Sequence, residues 1–179
     1  LAEGEIRWTH DRAALSLSAT FRRVEPIAGA VPFNMISTDI GATIPLPFNT
    51  IFDNHTILTL APSGDHRFPL AHTLSDLYTH WRLLAGNLDL RLGTTLEYQT
   101  SLRALRFDNT TATFFDPEDA AHINVISYPI WNAYVQARIG NAYLRVEMRN
   151  ILNNEYYTVY RYPVWGRGLY LGANWALVD

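Results

Sequence analysis

The sequence predicts an all-β protein, an antiparallel transmembrane β-barrel with short turns at one end of its strands and long loops at the other. Three observations carry this prediction. Several segments alternate apolar and polar residues with a period of two, the repeat of a strand. These segments come in pairs joined by very short turns, with long polar stretches between pairs, which is the layout of short periplasmic turns and long extracellular loops. The outward faces also carry aromatics at both ends. With the short turns taken as periplasmic, Trp8, Trp81 and Trp175 fall near the periplasmic ends, and Phe21, Tyr98 and Trp131 near the opposite ends. A bilayer selects two such interfacial rows, whereas a soluble β-sandwich, which shares the alternation, has no reason to produce them.

Taken in order, Glu5 to His10 alternates with Ile6 and Trp8 on one face, and Asp11-Arg12 makes a turn. Leu15, Leu17, Ala19 and Phe21 then oppose Ser16, Ser18, Thr20 and Arg22. The stretch from Val24 to His72 is rich in Pro, Gly, Asn and Asp and reads as a long loop, with room for one strand near Ile51 to Leu60. The next pair runs from Thr73 to Leu84 and from Leu88 to Gln99, hinged at Gly86-Asn87. A second polar stretch covers Ser101 to Pro129. Ile130 to Ile139 and Ala142 to Arg149 form a third pair around Gly140-Asn141, a two-residue hairpin signal. Leu169, Leu171, Ala173, Trp175 and Leu177 mark the outward face of a last strand. That makes seven strands, or eight, in one barrel segment spanning residues 1–179, with no helix-period segment and no linker.

Composition narrows the function classes. The chain of 179 residues is 48% hydrophobic, yet no apolar run approaches the roughly 20 residues of a membrane helix, so any spanning must use strands. Cysteine is absent, which removes disulfides and thiolate metal sites. A net charge of −3 without a dense basic stripe argues against nucleic acid as a partner. All 14 basic residues other than histidine are Arg, a pattern read mainly as compositional bias.

The stretch Arg149-Asn150-Ile151-Leu152-Asn153-Asn154-Glu155-Tyr156-Tyr157, then Tyr162-Pro163-Val164-Trp165-Gly166-Arg167 and a closing alternating strand, resembles the C-terminus of TonB-dependent outer-membrane receptors. The resemblance covers about the last 35 residues. It implies the C-terminal part of a larger barrel, by family about 22-stranded, whose plug domain is not in this chain. It also implies import of a scarce nutrient (a siderophore, cobalamin or glycan) powered by the TonB complex, in the outer membrane of a Gram-negative envelope. Asn150, Tyr157, Pro163, Gly166 and Arg167 are the structural motif, with Pro163 stopping pairing, Gly166 permitting a bend and Arg167 anchoring to loop carboxylates or carbonyls. The alternatives are a passive porin, whose lumen charges set selectivity, and a small barrel hydrolase.

Candidate chemistry is sparse. Arg91, Glu97, Arg138, Arg145 and Glu147 are expected to line the lumen together with Asp89 and Arg149, as ion pairs in the first instance. Asp53, His55, Asp65, His66 and His72 in the first polar stretch, and Asp116, Glu118, Asp119 and His122 in the second, lack a metal-ligand spacing and read as solvated loops. His10 beside Asp11, and His80, lie at the periplasmic end, and no nucleophile elbow, phosphate loop or zinc motif is present. No catalytic residue, metal or cofactor is therefore expected. The expected partners are outer-membrane lipid and a small-molecule ligand that the sequence does not identify.

Overall fold

The computed structural model describes residues 2–10, 13–24, 33–60, 69–103, 106–115, 124–125, 127–159, 162–164 and 166–175. Nine strands form one antiparallel sheet in simple up-and-down order. They are β1 (Ala2–His10), β2 (Ala13–Val24), β3 (Phe33–Leu46), β4 (Thr50–Leu60), β5 (Ala71–Leu83), β6 (Leu88–Gln99), β7 (Pro129–Ile139), β8 (Ala142–Arg149) and β9 (Gly168–Trp175). Among the described residues β1 pairs only with β2 and β9 only with β8, so the sheet is open.

The register shows why alternation maps onto the sheet so cleanly. One row of cross-strand partners runs Trp8, Leu15, Ala42, Asn54, Ser75, Leu96, Trp131. It starts two residues from the short-turn end of β1, at His10, and finishes eight residues from the short-turn end of β7, at Ile139. The row therefore climbs about one residue per strand. With a rise of about 3.4 Å per residue and strands about 4.8 Å apart, that stagger corresponds to a tilt of roughly 35°. Transmembrane barrels tilt their strands by about 35–45°.

Burial runs opposite to that of a soluble protein. Among the described residues the only buried hydrophobics are Tyr78 (8% exposed) and Tyr134 (4%), and both sit on the polar face. Ile6, Leu15, Leu17, Ile40, Leu92, Val135, Leu144, Val146, Leu169 and Leu171 all lie exposed on the other face. The accessible surface is 12786 Å², against about 8,800 Å² for a compact soluble monomer of this mass. A sandwich would bury that apolar face on itself, and this sheet does not.

Four tight connections lie at one end. Gly140 takes φ +54° in the Gly140-Asn141 hairpin. Leu84 and Ala85 take φ 53° and 54°, and the Asn87 N–H closes that turn on the Leu84 carbonyl at 3.1 Å. Phe48 and Asn49 take φ 62° and 57° between β3 and β4. The fourth, residues 11–12, lies outside the described residues. At the other end the connections are long. The one between β6 and β7 contains the ribbon Arg106–Asp108 with Thr113–Phe115, and the pair Leu102–Arg103 with Asn124–Val125.

Three expectations change. Among the described residues the wall has nine strands rather than seven or eight. The stretch from Val24 to His72, read as a loop with room for one strand near Ile51 to Leu60, holds that strand as β4 and also β3, which Gly41 and Pro45 disguise as loop sequence. The hairpin hinged at Gly86-Asn87 turns over four residues, Leu84 to Asn87, because Leu83 pairs with Leu88.

β4 also breaks the outward apolar pattern. The Asn54 amide donates to Thr73 Oγ1 (3.0 Å) and Ser75 Oγ (2.9 Å), and the Thr56 hydroxyl donates to Asn54 Oδ1 (3.0 Å). This quartet satisfies its polar groups internally, the condition for polar atoms on a membrane-facing surface.

Candidate lumen-facing site

The polar face is organised around β5 to β9. Tyr134 on β7 donates its hydroxyl to both carboxylate oxygens of Asp76 on β5, each at 3.0 Å, across the intervening β6. It can do so because β6 carries Gly93 between them, paired with Tyr78 on one side and Tyr134 on the other. A Cβ at Gly93 would stand 2.6 Å from the Tyr134 ring and hydroxyl. Glycine inside a strand is unfavourable unless another group needs the space, and here the tyrosine ring occupies it.

Guanidinium groups cover the tyrosines. Arg91 lies 4.8 Å above the Tyr78 ring centroid, Arg145 4.3 Å above Tyr134, and Arg149 4.4 Å above Tyr170. Glu147 ties two of these together: Arg145 Nε and Arg149 Nη2 both donate to its Oε2, at 3.1 Å and 3.3 Å, with the Glu147 side chain only 10% exposed. Arg145 also donates to Gln136 Oε1 at 3.3 Å. Three histidines on the same face each meet a carboxylate: His55 with Asp39 (2.7 Å), His72 with Glu97 (3.0 Å) and His80 with Asp89 (2.5 Å). The result is a wettable wall of paired charges whose aromatic rings are shielded by arginine.

The structure places Arg91, Glu97, Arg138, Arg145 and Glu147 together on this face. Trp8, Trp81, Tyr98, Trp131 and Trp175 lie on the opposite, apolar face. The Trp131 indole N–H donates to Thr94 Oγ1, which satisfies its polar atom there. His10 stacks on Trp8 on that apolar face, at 5.9 Å between rings. Asp53 and His55, in the polar stretch with room for one strand, belong to β4, and His72 belongs to β5, which starts two residues before the expected Thr73. Asp11, Asp65, His66, Asp116, Glu118, Asp119 and His122 lie outside the described residues. Among the described residues no three His, Asp or Glu side chains converge as a metal site.

The C-terminal motif builds the long-loop rim. Asn150 is 2% exposed and adopts φ 50°. Its amide donates to the Asn154 carbonyl at 2.8 Å, its Oδ1 accepts the Asn154 N–H at 3.0 Å, and its own N–H donates to Asn132 Oδ1 at 2.9 Å. Asn154 donates on to the Pro129 carbonyl at 2.7 Å, so the turn clamps the end of β7. At Arg167 the backbone N–H donates to Asn153 Oδ1 at 3.0 Å. At Gly166 a Cβ would meet the same Asn153 Oδ1 at 3.0 Å, so glycine also allows a close approach there. Tyr157 and Pro163 pair in a short ribbon outside the wall.

Two loop groups titrate away from their ordinary values. The Thr110 N–H and then the Thr111 hydroxyl hold the Asp108 carboxyl below the usual carboxylate range. Burial pushes the Tyr156 phenol up, with the Glu97 charge adding to it; its ring packs 5.0 Å from that of Tyr128.

Sequence reading overlooked Asp76, Tyr78, Gly93 and Tyr134. The lone glycine within the alternating run from Leu88 to Gln99 was the available signal, because a strand glycine marks a close approach.

A tilted antiparallel meander, apolar outside and charged inside, defines the wall of a porin-like β-barrel. Residues 53–179 match the family described as "Putative porin". That is most of the chain, and the chain belongs to this family of outer-membrane barrel proteins. No curated protein matches it. The match gives no support to the more specific resemblance to TonB-dependent receptors.

Proposed function

We propose that this chain forms the wall of a passive outer-membrane porin of a Gram-negative envelope, which conducts small hydrophilic solutes through a charged, water-filled lumen. The observation that carries the reading is the family match over residues 53–179, on strands whose inner face holds paired Arg, Glu, Asp and His. Open edges are costly in hydrocarbon because each unpaired backbone group there lacks a partner, so the wall operates closed. Native protein reconstituted into a planar lipid bilayer is expected to give discrete ohmic conductance steps without an energy source. A bilayer that stays silent with folded protein inserted would overturn the porin.

The receptor reading retains one specific observation, the Asn150-to-Arg167 motif. It makes the contrary forecast: no passive conductance, and solute uptake that stops when the TonB complex is removed.

A further inference from the structure

At the short-turn end of the lumen-facing surface, two adjoining depressions of about 380 and 570 Å³ share Asp89 and Arg138 as lining residues. Arg82 lines the first and Arg91 the second. The register explains the convergence. Arg82 and Arg138 both pair with Asp89, from the strands on either side of β6, and Arg91 lies two residues further along β6 on the same face.

Positive charge collects here, with Arg82, Arg91 and Arg138 lining the two depressions. Among the described residues Asp89 is the only carboxylate lining either depression, and it already accepts a 2.5 Å bond from His80. Further up the wall, Arg145 and Arg149 share Glu147. Arg138 Nε donates to the Gly140 carbonyl at a long 3.4 Å. Arg91 lies over the Tyr78 ring, an arrangement that occupies the guanidinium face and leaves its in-plane N–H groups free to point at a ligand. Gln136, Asn141 and Asn174 complete the larger depression with neutral amides rather than acids.

We propose that Arg82, Arg91 and Arg138 form an oxyanion-binding subsite at the periplasmic mouth of the lumen. It would take small phosphorylated or carboxylated solutes and bias the pore toward anions. Guanidinium forks match phosphate and carboxylate oxygens in pairs, and rings of arginine are a general means of selecting anions in pores. The inference rests on the porin reading for its place in a conducting lumen, but binding itself can be measured separately.

The test uses the full-length native protein, wild type and the double variant Arg82→Gln/Arg138→Gln. Arg22→Gln is the control, removing a charge from the same face at the long-loop end. Inorganic pyrophosphate is the probe, read both as block of bilayer conductance and as binding by titration calorimetry in detergent. Wild type is expected to prefer chloride over potassium in a salt gradient and to be blocked by pyrophosphate. The double variant should raise the half-blocking concentration at least about tenfold, the loss of more than one charge-assisted contact, while Arg22→Gln leaves it unchanged. A conducting wild type that pyrophosphate neither binds nor blocks, or a double variant blocked as readily as wild type, would overturn the subsite. Calorimetric binding lost in the double variant, with no conductance in any protein, would keep the subsite and remove the porin.

Discussion

Gly93→Ala tests the packing of the lumen wall most directly. The added Cβ would lie 2.6 Å from Cζ and the hydroxyl of Tyr134 and 2.8 Å from Cβ of Tyr78. Both neighbours belong to β-strands held on either side of β6, so the Tyr134 ring must swing into the lumen. Its hydroxyl then leaves Asp76, and Arg145 loses the ring 4.3 Å beneath it. A hydrogen bond to a carboxylate nets about 1.5–3 kcal/mol, and an arginine stacked at a wetted site about 0.5–1 kcal/mol. Relieving a strand of glycine returns about 0.5–1 kcal/mol. The balance is a loss of roughly 1.5–3 kcal/mol. Urea unfolding of the reconstituted barrel, followed by tryptophan fluorescence and by heat-modifiable mobility, measures it. In a Tyr134→Ala background the same substitution should cost less than half as much, leaving only the approach to Tyr78. A loss below about 0.5 kcal/mol in the wild-type background, or an equal loss in both, would refute the reasoning.

Other substitutions probe the rim and the ion pairs. Asn150→Ala removes both side-chain bonds to Asn154 and places Ala at φ 50°, so unfolding should require about 2–4 kcal/mol less. Asn150→Gly should cost less than Asn150→Ala, because glycine tolerates that φ, and limited proteolysis of the loop after β8 would separate the two. Glu147→Gln leaves Arg145 and Arg149 facing each other without their shared partner; the half-exposed Arg149 limits the penalty to about 1–3 kcal/mol, again read from urea midpoints. For Asp108 the folded-state carboxyl is depressed, so its contribution to the 106–115 ribbon is present above the ordinary carboxylate range and is lost as pH falls through the folded value. The protection of the Thr110 amide, measured as its exchange rate against the intrinsic rate at each pH, should therefore fall in acid, and Asp108→Asn should remove that pH dependence.

Much of the wall was legible because four segments alternate: Leu15 to Phe21, Leu88 to Tyr98 (broken only at Gly93 and Thr94), Ala142 to Arg149 and Leu169 to Trp175. A period of two is a local property, and each residue reports its face without reference to any partner. β3 was hidden, and β4 only half-legible, for an equally local reason. Pro45 and Gly41 are loop residues by type, and β4 reverses the pattern with Asn54 and Thr56 outward and Ile51 and Ile57 inward. Their polarity is tolerated only because Thr73 and Ser75, on the next strand, complete the hydrogen bonds. The turn at Leu84 to Asn87 was misplaced because neither Leu84 nor Ala85 advertises a positive φ.

By itself the sequence determined that this protein is built of strands with one greasy and one charged face, and that Arg145, Glu147 and Arg149 share a side. Those are consequences of spacing along one chain. Only the tertiary structure decided that Tyr134 reaches Asp76 over Gly93, 58 residues apart. It alone set Arg82, Arg91 and Arg138 around a single carboxylate, and raised the rows by one residue per strand into a barrel tilt. Such meetings depend on register between strands, and a shift of two residues would keep every side chain on its proper face while changing every partner.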